Sequence, residues 1–108
     1  MPRPRYQSEH EPTLSLAELC VQLAIHAEGI IELVEYGVTS PEAGSTPQDW
    51  RFSAQASRRA ARGLRLARDL RINVEGIALA LDLLDQLEEA HVRLARAERL
   101  LAARLWDS

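Results

Sequence analysis

The chain contains no lysine: all thirteen of its basic residues are arginine, a bias that GC-rich coding alone can produce. Its one cysteine, Cys20, excludes an internal disulfide, and without a second cysteine near a pair of histidines a zinc-binding spacing is excluded too. Aromatic residues make up only 5% of the chain. That scarcity, with Ala, Leu and Arg dominant, favours helix over sheet. No apolar run approaches the roughly 18 residues of a membrane span, and none at the N-terminus has signal-peptide length. A protein without membrane contact that stays in the reducing cytoplasm is therefore expected. No nucleophile–base pair, phosphate loop or ligand cluster is visible. His10, His26 and His91 lie far apart with no Cys or carboxylate at metal-ligand spacing, so the expectation is no enzyme, no catalytic residue, no metal and no cofactor.

What is present reads as one unit. A length of 108 residues, 46% of them hydrophobic, supports one compact domain plus an extended element. Residues 1–12 carry three prolines and no apolar periodicity, the mark of a disordered arm. Residues 13–72 read as a winged helix-turn-helix head. Ser15 and Glu18 form a capping box flanked by Leu14 and Leu19 as a hydrophobic staple. Leu16, Leu19, Cys20 and Leu23 follow as one buried stripe, with Cys20 in the core. A break near Ile25 and His26, with His26 as cap, leads to a second stripe at Ile30, Ile31 and Val34, ended by Gly37. The polar stretch from Thr39 to Asp49 runs into Trp50-Arg51-Phe52, one short strand of a wing. From Ser53 a third helix carries small residues, Ala56, Ala60, Gly63 and Ala67, on one face.

Residues 73–108 read as a long dimerisation helix. Asn73 caps it, and at 1.5 Å per residue it runs to roughly 50 Å. Leu83, Leu87, Ala90, Leu94, Ala97 and Leu101 alternate three and four apart, which is a coiled-coil seam. Acids Asp82, Asp85, Glu88 and Glu89 precede the midpoint, and Arg93, Arg96, Arg99 and Arg104 follow it. A homodimer is expected, antiparallel about Ala90 and His91, with Asp82 meeting Arg99 and Asp85 meeting Arg96. The fold class is thus all-α with a minor β wing: a winged head and a long C-terminal helix forming an antiparallel coiled-coil dimer.

Charge decides what such a head can bind. Duplex affinity depends on Lys and Arg neutralising phosphates, yet from Tyr6 to Trp50 there is neither, against eight acids. Glu28, Glu32 and Glu35 recur at i, i+4 and i+7, so the helix that would enter a major groove presents carboxylates. Specific DNA binding is therefore not expected, and a basic protein partner is. Between Arg51 and Ile72 the balance reverses, with seven arginines against Asp69 alone. The alternative, a DNA-binding transcriptional regulator, would rest on that arginine-rich third helix and on Arg3 and Arg5 of the arm.

These elements in this order resemble the MerR-type winged helix-turn-helix proteins. More closely, the chain resembles the bacterial chaperone-modulator, CbpM-like family. Glu32 to Val38 (ELVEYGV), Trp50 to Phe52 (WRF) and Leu64 to Leu87 (LRLARDLRINVEGIALALDLLDQL) carry the likeness, the last most specifically. The positions that read bases in MerR proteins fall here on Ile31, Glu32 and Leu33. His26 stands where the family often has a small hydroxyl cap. The resemblance implies a non-enzymatic inhibitor of a DnaJ-like, CbpA-type co-chaperone that binds the J-domain and blocks its stimulation of Hsp70. J-domains present a basic helix to Hsp70, which an acidic surface can mask. Glu28, Glu32 and Glu35 are the first candidates for that contact, and Asp82 and Asp85 the second.

Overall fold

The structure is a computed structural model and describes residues 12–107; the arm expected over 1–12 lies outside them except for Pro12. Five helical or extended elements make the head. A short strand β1 (Leu14–Ser15) leads into α1 (Leu16–Leu23), and α2 (Ala27–Glu35) follows. After a 3-10 turn at Pro47–Asp49 come β2 (Arg51–Phe52) and α3 (Ala54–Leu70). The last helix, α4, spans Val74–Asp107. By compactness the chain divides inside α4, between Ala78 and Leu79.

Each boundary has a local cause. Ser15 Oγ accepts the Glu18 N–H at 3.1 Å while the Ser15 N–H donates to Glu18 Oε1 at 2.8 Å, the reciprocal capping box expected of that spacing. The Ser15 hydrogen bonds hold the Glu18 carboxyl below its ordinary value against the opposing effect of burial, with the nearby Arg51 charge contributing least. α1 ends on Ala24 in the left-handed region at φ 57, with the Ile25 N–H reaching back to the Cys20 carbonyl at 3.1 Å. α2 ends on Gly37 at φ 78. There the Gly37 N–H donates to Val34 O and the Val38 N–H to Leu33 O. This is the double bond of a Schellman turn, and buried Val38 and Leu33 supply its apolar contact. Ser53 Oγ caps α3 through Ala56 N–H at 3.0 Å, and Asn73 Oδ1 caps α4 through Gly76 N–H at 2.8 Å.

The sheet is small but ties distant segments together. The WRF segment does pair, and its partner is β1, antiparallel with Leu14 opposite Phe52 and Ser15 opposite Arg51. That partner was not legible in a two-residue segment whose pattern belongs to the helix start. On its other edge Arg51 bridges to Ala43. Gly44, at φ 103, makes the wing turn possible, because a Cβ there would run into the Asp49 carbonyl.

The core lies between these elements. Leu19, Ile30 and Phe52 are completely buried, with Leu14, Leu16, Cys20, Leu23 and Trp50 packed around them. The Trp50 and Phe52 rings meet edge to face at 5.9 Å. Side-chain bonds lock α3 to its neighbours: Gln22 Nε2 donates to Ser57 Oγ at 3.2 Å, and Thr39 Oγ1 donates to Ala56 O at 2.8 Å. Ala60 and Gly63 on α3 are buried, as close packing of small residues requires.

Candidate partner-binding surface

The acidic surface of the head is built by α2. Its buried residues are Ile30 and Leu33, while Ile31 and Val34 are half-buried. The expected stripe through Ile31 is therefore turned slightly, with Leu33 taking the central place because it must close the Schellman turn on Val38. Leu33, fully inside, has no access to a groove of any ligand. His26 does occupy the N-cap position of α2, but its side chain makes no capping hydrogen bond. Its imidazole therefore does not perform the capping expected of it, and the α2 N-terminus is left to backbone contacts.

With Ile30 and Leu33 inward, 100° per residue sends Glu28, Glu32 and Glu35 outward within an arc of about 60° over roughly 10 Å of helix axis. All three are exposed, and none is ion-paired with a described residue. The structure thus brings the first-choice carboxylates onto one solvent face. The end of α1 carries a feature that the periodicity did not announce. Val21 on α1 is 83% exposed and borders a shallow depression of about 290 Å³ with Cys20, Ala24, Ile25 and His26. The sequence signal was its place outside the Leu16, Leu19, Cys20, Leu23 stripe.

Asp82 and Asp85 stand on α4 and are exposed. On a continuous helix Leu83, Leu87, Ala90, Leu94, Ala97 and Leu101 form a strip about 80° wide, with Asp82 about 100° and Asp85 about 160° from its centre. Arg96 and Arg99 lie on the far side as well. A seam through those leucines consequently cannot place Asp82 against Arg99 or Asp85 against Arg96. The direct pairs expected from the sequence therefore conflict with the seam expected from the same sequence. The seam residues are uncovered: Leu83 is 54%, Leu94 56% and Leu101 60% exposed.

The arginines between Arg51 and Ile72 include two groups of different role. Arg51 is engaged with Thr13 through Nε and Nη2 at 2.8 and 2.9 Å, and Arg59 Nε donates to the Val38 carbonyl at 2.8 Å. These hold the head together. Arg58, Arg62 and Arg65 remain exposed and carry no ion pair to a described residue. Among the described residues no group of three His, Cys, Asp or Glu side chains could hold a metal ion, and no helix is long and apolar enough to cross a membrane.

A winged helix-turn-helix head with a long C-terminal helix defines the class, and comparison agrees with it. The model of the MerR HTH family regulatory proteins matches residues 14–99. The chaperone modulatory protein CbpM of Coxiella burnetii is 42% identical over 91 residues, covering 84% of this chain and 85% of that protein. CbpM of Pseudomonas putida is 40% identical over 76 residues, 70% of this chain and 74% of its own length. The chain belongs to the CbpM-like chaperone-modulator family, a branch of the MerR-type helix-turn-helix proteins.

Proposed function

We propose that the protein is a non-enzymatic cytoplasmic modulator that binds the J-domain of a DnaJ-like, CbpA-type co-chaperone and blocks its stimulation of Hsp70. The observation that carries this is the exposed row of Glu28, Glu32 and Glu35 on α2, none of them ion-paired with a described residue. Three carboxylates on one helix face attract a basic helix, steer its approach and fix its register. Asp82 and Asp85 are a second, separate acidic contact on α4. Their place off the leucine strip leaves them accessible when that strip is covered.

The same proposal includes a homodimer through Leu83, Leu87, Ala90, Leu94, Ala97 and Leu101. The acidic first half and basic second half of α4 favour the antiparallel orientation through the field of whole half-helices rather than through individual pairs.

The test is calorimetry of the full chain against J-domain proteins of its own genome, with a parallel Hsp70 ATPase assay. Saturable binding and loss of stimulation are expected. Glu28→Lys/Glu32→Lys/Glu35→Lys should weaken binding at least about tenfold, which is about 1.4 kcal/mol. Unchanged affinity removes this face. Failure of every J-domain protein to bind returns the DNA-regulator reading, which the matching MerR model favours. A gel shift whose affinity falls steeply with salt would establish that reading.

A further inference from the structure

The head carries two exposed charged helix faces of opposite sign, and their residues have the same spacing. On α2 the acids stand at 28, 32 and 35; on α3 the arginines stand at 58, 62 and 65. Each set is i, i+4, i+7, so each fills an arc of about 60° on its own helix. No described ion pair uses any of the six, which means that the two faces do not neutralise each other within one chain.

From this we infer that the arginine face of α3 is a docking surface for a second copy of the chain, received through the acidic face of α2. Antiparallel helices make the match. When one helix is turned over to face the other, the sideways offset of the middle residue is preserved and the axial order is reversed. Glu32 then lies opposite Arg62, with Glu28 toward Arg65 and Glu35 toward Arg58. The axial steps differ by only about 1.5 Å, since a four-residue step is about 6 Å and a three-residue step about 4.5 Å. That difference is within the reach of an arginine side chain. A parallel approach mirrors the offsets and sets the middle residues to opposite sides.

All three cations are arginine, whose planar guanidinium can take a carboxylate in two parallel hydrogen bonds. Each pair is exposed, so the contact is weak singly and strongly screened by salt. It joins two different surfaces, which makes it heterologous, and assembly beyond a pair follows unless the geometry closes. On the J-domain reading above, the basic partner and the second copy compete for one acidic face, and partner binding disperses the self-assembly.

Sedimentation velocity of the full chain alone tests the contact, so a failure here leaves J-domain binding untouched. At about 20 mM NaCl, where the screening length is roughly 20 Å, the weight-average sedimentation coefficient should rise with concentration. At about 500 mM, with screening over roughly 4 Å, that extra rise should vanish. Arg58→Glu/Arg62→Glu/Arg65→Glu alone, and Glu28→Arg/Glu32→Arg/Glu35→Arg alone, should each abolish it, because their facing surfaces then carry like charge. An equal mixture of the two variants should restore it. The charge control Arg3→Glu/Arg5→Glu/Arg71→Glu, with the same net change elsewhere, should self-associate as the wild type does. A salt-independent wild type, a control that loses association with the first variant, or a mixture that stays dispersed would overturn the inference.

Discussion

The head and the distal part of α4 are made of much the same residues, yet they handle apolar surface in opposite ways. In the head Leu19, Ile30, Leu33 and Phe52 are inaccessible to solvent or nearly so, because strand, wing and three helices can close around them. From Leu79 onward Leu81 alone is buried among the described residues, while Leu79, Leu83, Leu87, Leu94, Leu100, Leu101, Leu105 and Trp106 are large apolar groups in the open. A lone helix covers little of its own surface. The difference teaches that the head is stabilised by its own contacts, whereas the far helix presents an apolar strip that remains to be covered.

The largest effect should come from breaking the head. Phe52→Ala removes the central ring of the core and should cost about 3–5 kcal/mol, read as a lowered denaturant midpoint. The converse change leaves the head alone. Leu87→Asp/Leu94→Asp puts carboxylates on the exposed strip, at little cost to an isolated chain but about 3–5 kcal/mol for each one buried unpaired in a dimer. Sedimentation at high salt should therefore move to the monomer, while the amide spectrum of residues in the head stays in place. A head that unfolds with that pair would show that the two regions are not independent.

The smallest effect concerns the start of α1. Ser15→Ala should cost about 1 kcal/mol by deleting the cap. Glu18 sharpens this through pH. Its carboxyl is held below the ordinary value by the Ser15 hydrogen bonds and the nearby Arg51. Its contribution is thus complete above the ordinary glutamate range and disappears as pH falls through the lowered value. Melting curves of wild type and Glu18→Gln should differ at pH 7 and converge on acidification; a gap that does not narrow as pH falls would contradict the capping role.

Much of this molecule is local and therefore readable. Ser15 with Glu18, Ser53, Asn73 and Gly37 mark helix ends by chemistry within a few residues, and the 3.6-residue period sets which side of each helix is apolar. The periodicity of α2 also pointed Glu28, Glu32 and Glu35 to solvent. His26 defeated the same logic, since an N-cap position does not compel its imidazole to reach the backbone. The turn of α2 that buries Leu33 and leaves Ile31 half covered depends on what lies beneath the helix, which periodicity alone resolves only to within a residue.

By itself the sequence determined the helical class, the helix boundaries, the leucine strip and the separation of charge into an acidic head segment and a basic third helix, because each rests on spacing along the chain. Tertiary structure decided the rest. It chose Leu14–Ser15 as the partner of Arg51–Phe52, pairing residues 38 and 36 positions apart in the chain. It also committed Arg51 and Arg59 to Thr13 and Val38 and left Arg58, Arg62 and Arg65 facing solvent. Equal charges in sequence became unequal in role because only the packed fold determines which of them meets a backbone oxygen.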